Sequence, residues 1–153
     1  MQKAKDSLKI QDIYLHKLVA ECLDDFEPKY DPKLNAYKVQ TMRFVEKSQL
    51  MQVDGEKILK VSVSLGVRWI EPDTEKKSVT PAAEKQVKAF IEADFIAEYK
   101  MTAALTQKEI DAFAMSHASY HIWPYWRELL TNQTSRMYLP RVVLPTLQLA
   151  QNS

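Results

Sequence analysis

Between Leu59 and Trp69 the chain alternates without a break: Leu59, Val61, Val63, Leu65, Val67 and Trp69 against Lys60, Ser62, Ser64, Gly66 and Arg68. Successive side chains of a strand point to opposite faces, so a period of two predicts a half-buried β-strand. The apolar row along this strand supplies roughly 10 kcal/mol of gross burial energy at about 1.5–3 kcal/mol per side chain, which ordering entropy opposes. A chain with such a strand needs partners for its edges and a cover for its apolar face.

Partners are available on both sides. Val87 to Thr102 alternates again, with Ala89, Ile91, Ala93, Phe95, Ala97, Tyr99 and Met101 against Lys88, Glu92, Asp94, Glu98 and Lys100. Leu8 to Leu23 is extended in type but its apolar residues fall on both parities, so either both faces are covered or a bulge switches them. A polar loop with Pro28 and Pro32 spans Asp24 to Asn35, and a further strand runs over Ala36 to Lys47 with Tyr37, Val39, Met42, Phe44 and Val45. Asp54-Gly55 marks a hairpin, because glycine tolerates the positive φ of a tight turn. Glu71 to Gln86 is polar, carries Pro72 and Pro81, is long for a hairpin loop and is expected to be mobile.

The period changes after Leu105. Thr106-Gln107-Lys108-Glu109 has the form of a capping box, in which the Thr hydroxyl accepts the third helical N–H and Glu109 reaches back. Ile110, Phe113, Ala114 and His117 come next at helical spacing. Pro124 is expected to interrupt, with a second helical piece starting near Ser119 and carrying Ile122, Tyr125, Trp126, Leu129 and Leu130 to about Arg136. Leu139-Pro140 and Leu144-Pro145 stop further helix, and Thr146 to Ser153 is a polar tail. Strands followed by helix predict an α+β fold: a four-stranded antiparallel sheet with a long proline-interrupted helix on one face, as one domain over 1–153.

Composition removes several function classes. Lys plus Arg is 21 and Asp plus Glu is 20, a net charge of +1, so no broad basic field exists for nucleic acid. With two glycines, Gly55 and Gly66, neither Gly-rich phosphate loop can be built, and no apolar run has the length of a membrane span. A lone Cys22 reads as a small apolar strand residue, and the polar start of the chain predicts a cytoplasmic protein. His117 and His121 stand four apart, but no glutamate comes after His117 and His16 is remote, so no metal site is expected. Glu128 beside Arg127, and Glu109 near Asp111, are solvated helix charges; no catalytic residues and no cofactor are expected.

Particular words narrow the choice further. Ile10-Gln11-Asp12-Ile13-Tyr14 is similar to the first-strand motif of the SecB protein-export chaperones, and Val61-Ser62-Val63-Ser64 stands where that family has its alternating strand. Trp123-Pro124-Tyr125-Trp126-Arg127-Glu128 is similar to the family's helix motif. Ser135-Arg136 with Leu139-Pro140, and Val142-Val143-Leu144-Pro145, resemble the family's ending to that helix. The resemblance runs in order from Leu8 to Pro145. It implies a SecB-like fold, assembly into a homotetramer (a dimer of dimers) through the first strand and the helix, and ATP-independent binding of unfolded polypeptides in apolar grooves.

The aromatic cluster of Tyr120, Trp123, Tyr125 and Trp126, with Met42 and Phe44, is then expected at the client groove or the subunit contact. Met101 is expected in the core; Met51, Met115 and Met137 fit either surface or core. Family members are strongly acidic and meet the translocase motor SecA through acids on the outer sheet face. Here the matching positions are Lys17 and Glu21, one base and one acid. The role the resemblance implies is delivery of clients for protein export; the alternative is protection of an antitoxin, as shortened SecB-like chaperones do beside toxin–antitoxin pairs. A reading of another class is a dimerising scaffold whose apolar helix face is wholly buried.

Overall fold

The computed structural model describes residues 1–72 and 86–147. Except at its two ends, the expected mobile loop of Glu71 to Gln86 lies outside the described residues, as does most of the polar tail. A short helix α1 (Gln2–Ser7), not expected from sequence, leads into strand β1 (Leu8–Cys22). Two single 3₁₀ turns, Pro28–Tyr30 and Leu34–Ala36, carry the chain to β2 (Lys38–Val53), and Asp54-Gly55 turns it into β3 (Glu56–Ile70). Both turn residues have positive φ, 51° and 81°. β4 (Val87–Met101) completes a sheet of order β1-β4-β3-β2, antiparallel throughout.

β2 runs beyond the Lys47 expected from sequence. As an edge strand it pairs only with β3 and needs no apolar alternation to do so, so Ser48, Gln49 and Gln52 stay in the ladder opposite Val61, Lys60 and Lys57. β1 settles its mixed parity with bulges at Gln11 and His16, each one extra residue against β4. A third bulge, at Glu46, resets β2 against β3. The alternating rows of β3 and β4 pair residue for residue, Leu59 with Tyr99, Val63 with Phe95 and Trp69 with Ala89, and all of these are buried. Met101 is buried with them.

Their cover is one continuous helical rod: α2 (Gln107–Phe113), a π turn (Ala114–Ala118) and α3 (Ser119–Arg136). The capping box forms: Glu109 N–H donates to Thr106 Oγ1 at 3.2 Å and Thr106 N–H to Glu109 Oε1 at 2.9 Å. Pro124 does not interrupt the rod; it sits inside α3. Its missing N–H costs about 3 kcal/mol, which the burial of Ile122, Trp126 and Leu130 on the sheet outweighs. The irregularity lies upstream, with a cause in the sequence. Ile110, Ala114, Ala118, Ile122, Trp126, Leu130 and Thr134 are all buried and recur every fourth residue. At 3.6 residues per turn such a stripe drifts by roughly 40° per step, and a wider π turn takes up part of the drift.

Candidate functional site

α3 lies over β4 and β3, and the π turn over β3 and β2, so the two outer strands keep part of the helix-side face uncovered. On the β2 margin, Val39 is 41% exposed and Leu50 48%. Trp123, half-buried on α3, borders this margin: its ring centre lies 5.8 Å from the Arg43 guanidinium, and its Nε1–H donates to the Pro145 carbonyl at 2.8 Å. Tyr120, one turn earlier and exposed, shares that flank of the helix. On the β1 margin Ile10 and Leu15 are exposed. Both outer strands are long, and the sheet order leaves the far backbone edge of each without a strand partner among the described residues.

The sequence treats the four aromatics as one cluster, and the structure divides them. Trp126 is 1% exposed and packs in the core beside Ile122 and Leu130; its assignment to a groove is corrected, because the stripe of every fourth residue points it at the sheet. Tyr125 is exposed but lies two residues beyond Trp123, about 200° around the helix, and so takes the other flank. Met42 and Phe44 are exposed on the opposite, helix-free face, opposite Gly66 and Ser64. They share no surface with the helix aromatics. β2's helix-side residues are Val39, Thr41, Arg43 and Val45, then, past the Glu46 bulge, Ser48 and Leu50. Val39, Leu50, Ile10 and Leu15 are the surface residues that sequence reasoning missed, and strand parity corrected for bulges was the signal that would have found them.

Lys17 and Glu21 both project from the helix-free face, exposed, opposite Asp94 and Phe90. That face carries cross-strand rows: Tyr14, Ile96, Ser62 and Lys47; then Lys17, Asp94, Ser64 and Phe44. Small Ser62, Ser64 and Gly66 are sunk between larger neighbours; the Met42 methyl would stand only 3.1 Å from a Cβ placed on Gly66. Ser64 O–H donates to Asp94 Oδ1 at 2.7 Å, and Tyr14 O–H to Glu98 Oε2 at 2.7 Å. Partial burial, then the Glu98 carboxylate, pushes the Tyr14 phenol up to about 12.

Under the rod sits a small polar cluster. His121 Nδ1 and the Tyr99 hydroxyl are 2.8 Å apart, Tyr99 meets Phe113 edge-on at 5.0 Å, and His117 stacks on Phe113 at 4.9 Å. His117 Nε2 is buried without a partner among the described residues. Burial lowers the pKa of both histidines, so both are held neutral near pH 7. No group of three or more His, Cys, Asp or Glu comes together as a metal site among the described residues. No helix there is long and apolar enough to cross a membrane. The outer strands thus leave exposed apolar side chains on the helix-side face, with Trp123 and Tyr120 on the β2 side, and strand edges that have no strand partner among the described residues.

No family model matches the sequence, and neither does any curated protein. Among solved structures, the chain is similar to the Rv1957 SecB-like chaperone of Mycobacterium tuberculosis, in complex with a ChAD peptide from the Rv1956 HigA1 antitoxin. The match has a TM-score of 0.67 at 19% identity and covers 98% of this chain and 97% of that one. A protein of unknown function from Streptococcus agalactiae matches at a TM-score of 0.35 and 9% identity over 91% of this chain and 98% of that chain, too remote to carry an argument. The four-stranded antiparallel sheet with its covering helix is a SecB-like fold.

Proposed function

We propose that this chain is an ATP-independent chaperone that holds extended, unfolded polypeptide against the margins of its helix-covered face, as one domain over 1–153. The observation that carries the reading is a pair of exposed apolar side chains, Val39 and Leu50, towards the two ends of β2's helix-side face, with Trp123 over Arg43 between them, on a strand whose outer edge has no strand partner among the described residues. Hydrophobic attraction is non-directional and scales with area, which suits clients of unrelated sequence. An outer strand edge adds main-chain hydrogen bonds to any extended segment. β2, at 16 residues, offers a track of roughly 50 Å at about 3.3 Å per residue, long enough for many weak contacts to act together.

Assembly through β1 and the helix into a dimer of dimers in the cytoplasm would close the β1 margin and leave the β2 margin for clients. An antitoxin-type client is favoured over export. The similar chaperone of M. tuberculosis is seen with an antitoxin peptide, and Lys17 interrupts the acidic surface that a SecA contact needs. No cofactor, metal or catalytic residue enters this reading. The test is aggregation of a chemically unfolded protein, followed by light scattering with and without the chain and without ATP. Suppression at near-stoichiometric ratio is expected, and no suppression at tenfold excess refutes it. Co-purified clients identified by mass spectrometry separate an antitoxin from exported precursors.

A further inference from the structure

Beyond Arg136 the chain reverses at Tyr138, which holds a left-handed φ of 59°, and Leu139 N–H closes the helix end on the Thr134 carbonyl at 3.0 Å. From there the chain runs back along α3. Arg141, Val142, Val143 and Leu144 lie beside Arg127 and Thr131, and the Pro145 carbonyl takes the indole N–H of Trp123. This is the flank that borders β2 through Arg43.

The segment is bound as an extended peptide is bound. It has no helix or strand, and beyond Leu139 N–H no backbone–backbone hydrogen bond of it is found among the described residues. Side chains hold it instead: Leu139 and Leu144 are buried and Val142 half-buried, while Arg141 and Val143 point to solvent. An occupant fixed by alternate apolar side chains and one carbonyl hydrogen bond is replaceable by any chain offering the same pattern, prolines included, because its own N–H groups are not used. We infer that the α3 flank facing β2 is a groove for extended apolar peptide and that the chain's own Leu139–Leu147 segment occupies it as a displaceable stand-in for a client.

This inference rests on the chaperone reading and adds regulation to it: clients compete with the tail, so apparent affinity is the groove's own affinity reduced by the fraction of time the tail is out. The test uses the full chain and a fluorescein-labelled peptide of the sequence Leu139 to Leu147, added in trans and read by fluorescence anisotropy. Leu144→Ser removes a buried anchor and should raise peptide affinity by about ten- to a hundredfold. Val142→Ser, half-buried and safer for folding, should raise it about threefold, while Val143→Ser, whose side chain faces solvent, should leave it unchanged. Far-UV circular dichroism and a cooperative melt establish that each variant is folded. Equal affinity across wild type, Val142→Ser and any folded Leu144→Ser overturns the inference, as does an equal rise in Val143→Ser. Suppressed aggregation in every variant with no change in peptide affinity would overturn the tail's role and leave the chaperone reading standing. The ordered peptide series without any suppression would do the reverse.

Discussion

Replacing Val39 and Leu50 together by serine tests which face of the sheet receives a client. At 41% and 48% exposure, each side chain keeps a little under half of its surface available. Full burial of a Val or Leu gives about 1.5–3 kcal/mol, so each offers a client about 0.6–1.4 kcal/mol and the pair about 1.3–2.7 kcal/mol. Losing the pair should raise Kd roughly ten- to a hundredfold at about 1.4 kcal/mol per decade. A matched control exists on the same strand: Met42 and Phe44 are 40% and 48% exposed but face the helix-free side, so Met42→Ser with Phe44→Ser costs comparable stability. Titration of a labelled, permanently unfolded protein into each variant, followed by anisotropy, gives the two affinities. The control pair should bind within about threefold of wild type. If it loses as much as the Val39 and Leu50 pair, or more, the helix-side margin is not the groove.

The same geometry makes further outcomes measurable. Trp126→Ala should cost about 3–5 kcal/mol in a denaturant melt, since the ring is sealed between helix and sheet, whereas Tyr125→Ala should stay within about 0.5 kcal/mol. His117 and His121 have folded pKa values held below the ordinary 6.5 by burial, with Lys5 and the neighbouring imidazole adding to the effect at His117. The unfolded chain therefore binds more protons as pH falls below that value, so stability present above about pH 6.5 is lost in acid. Melts between pH 7 and 5 should show this loss, and His117→Phe should shrink it. Leu15→Lys places a charge on the outer strand β1 and should lower particle mass in light scattering if copies associate there.

The sheet was readable wherever one face is buried along its whole length. β3 and β4 announce themselves by unbroken alternation because both are central and each apolar residue meets another across the ladder. The edge strands carry no such signature. Half of β2 faces water on both sides, so its length and its parity after Glu46 depend on pairing rather than on its own pattern. The candidate surface suffered from the same gap: Met42 and Phe44 look like groove residues until the register sends them to the other face. Trp126 was misread for a different reason. Aromatic density says nothing of direction, and only the period of four separates it from Tyr125. α1 is too short for a periodicity to show; the buried Ala4, not sequence pattern, ties it down.

The π turn between Phe113 and Ser119 acts as a phase shifter in the rod. Its extra width sets the rotary angle between the half that stacks Phe113 and His117 and the half that seats Ile122 and Trp126. Deleting a single residue there would leave both halves helical yet twist one against the other by roughly 100°, swinging Trp123 and the tail it anchors away from β2. Homologues that differ in length within this stretch would therefore present a different lip to the same sheet, altering what they grip without a substitution in the grip itself.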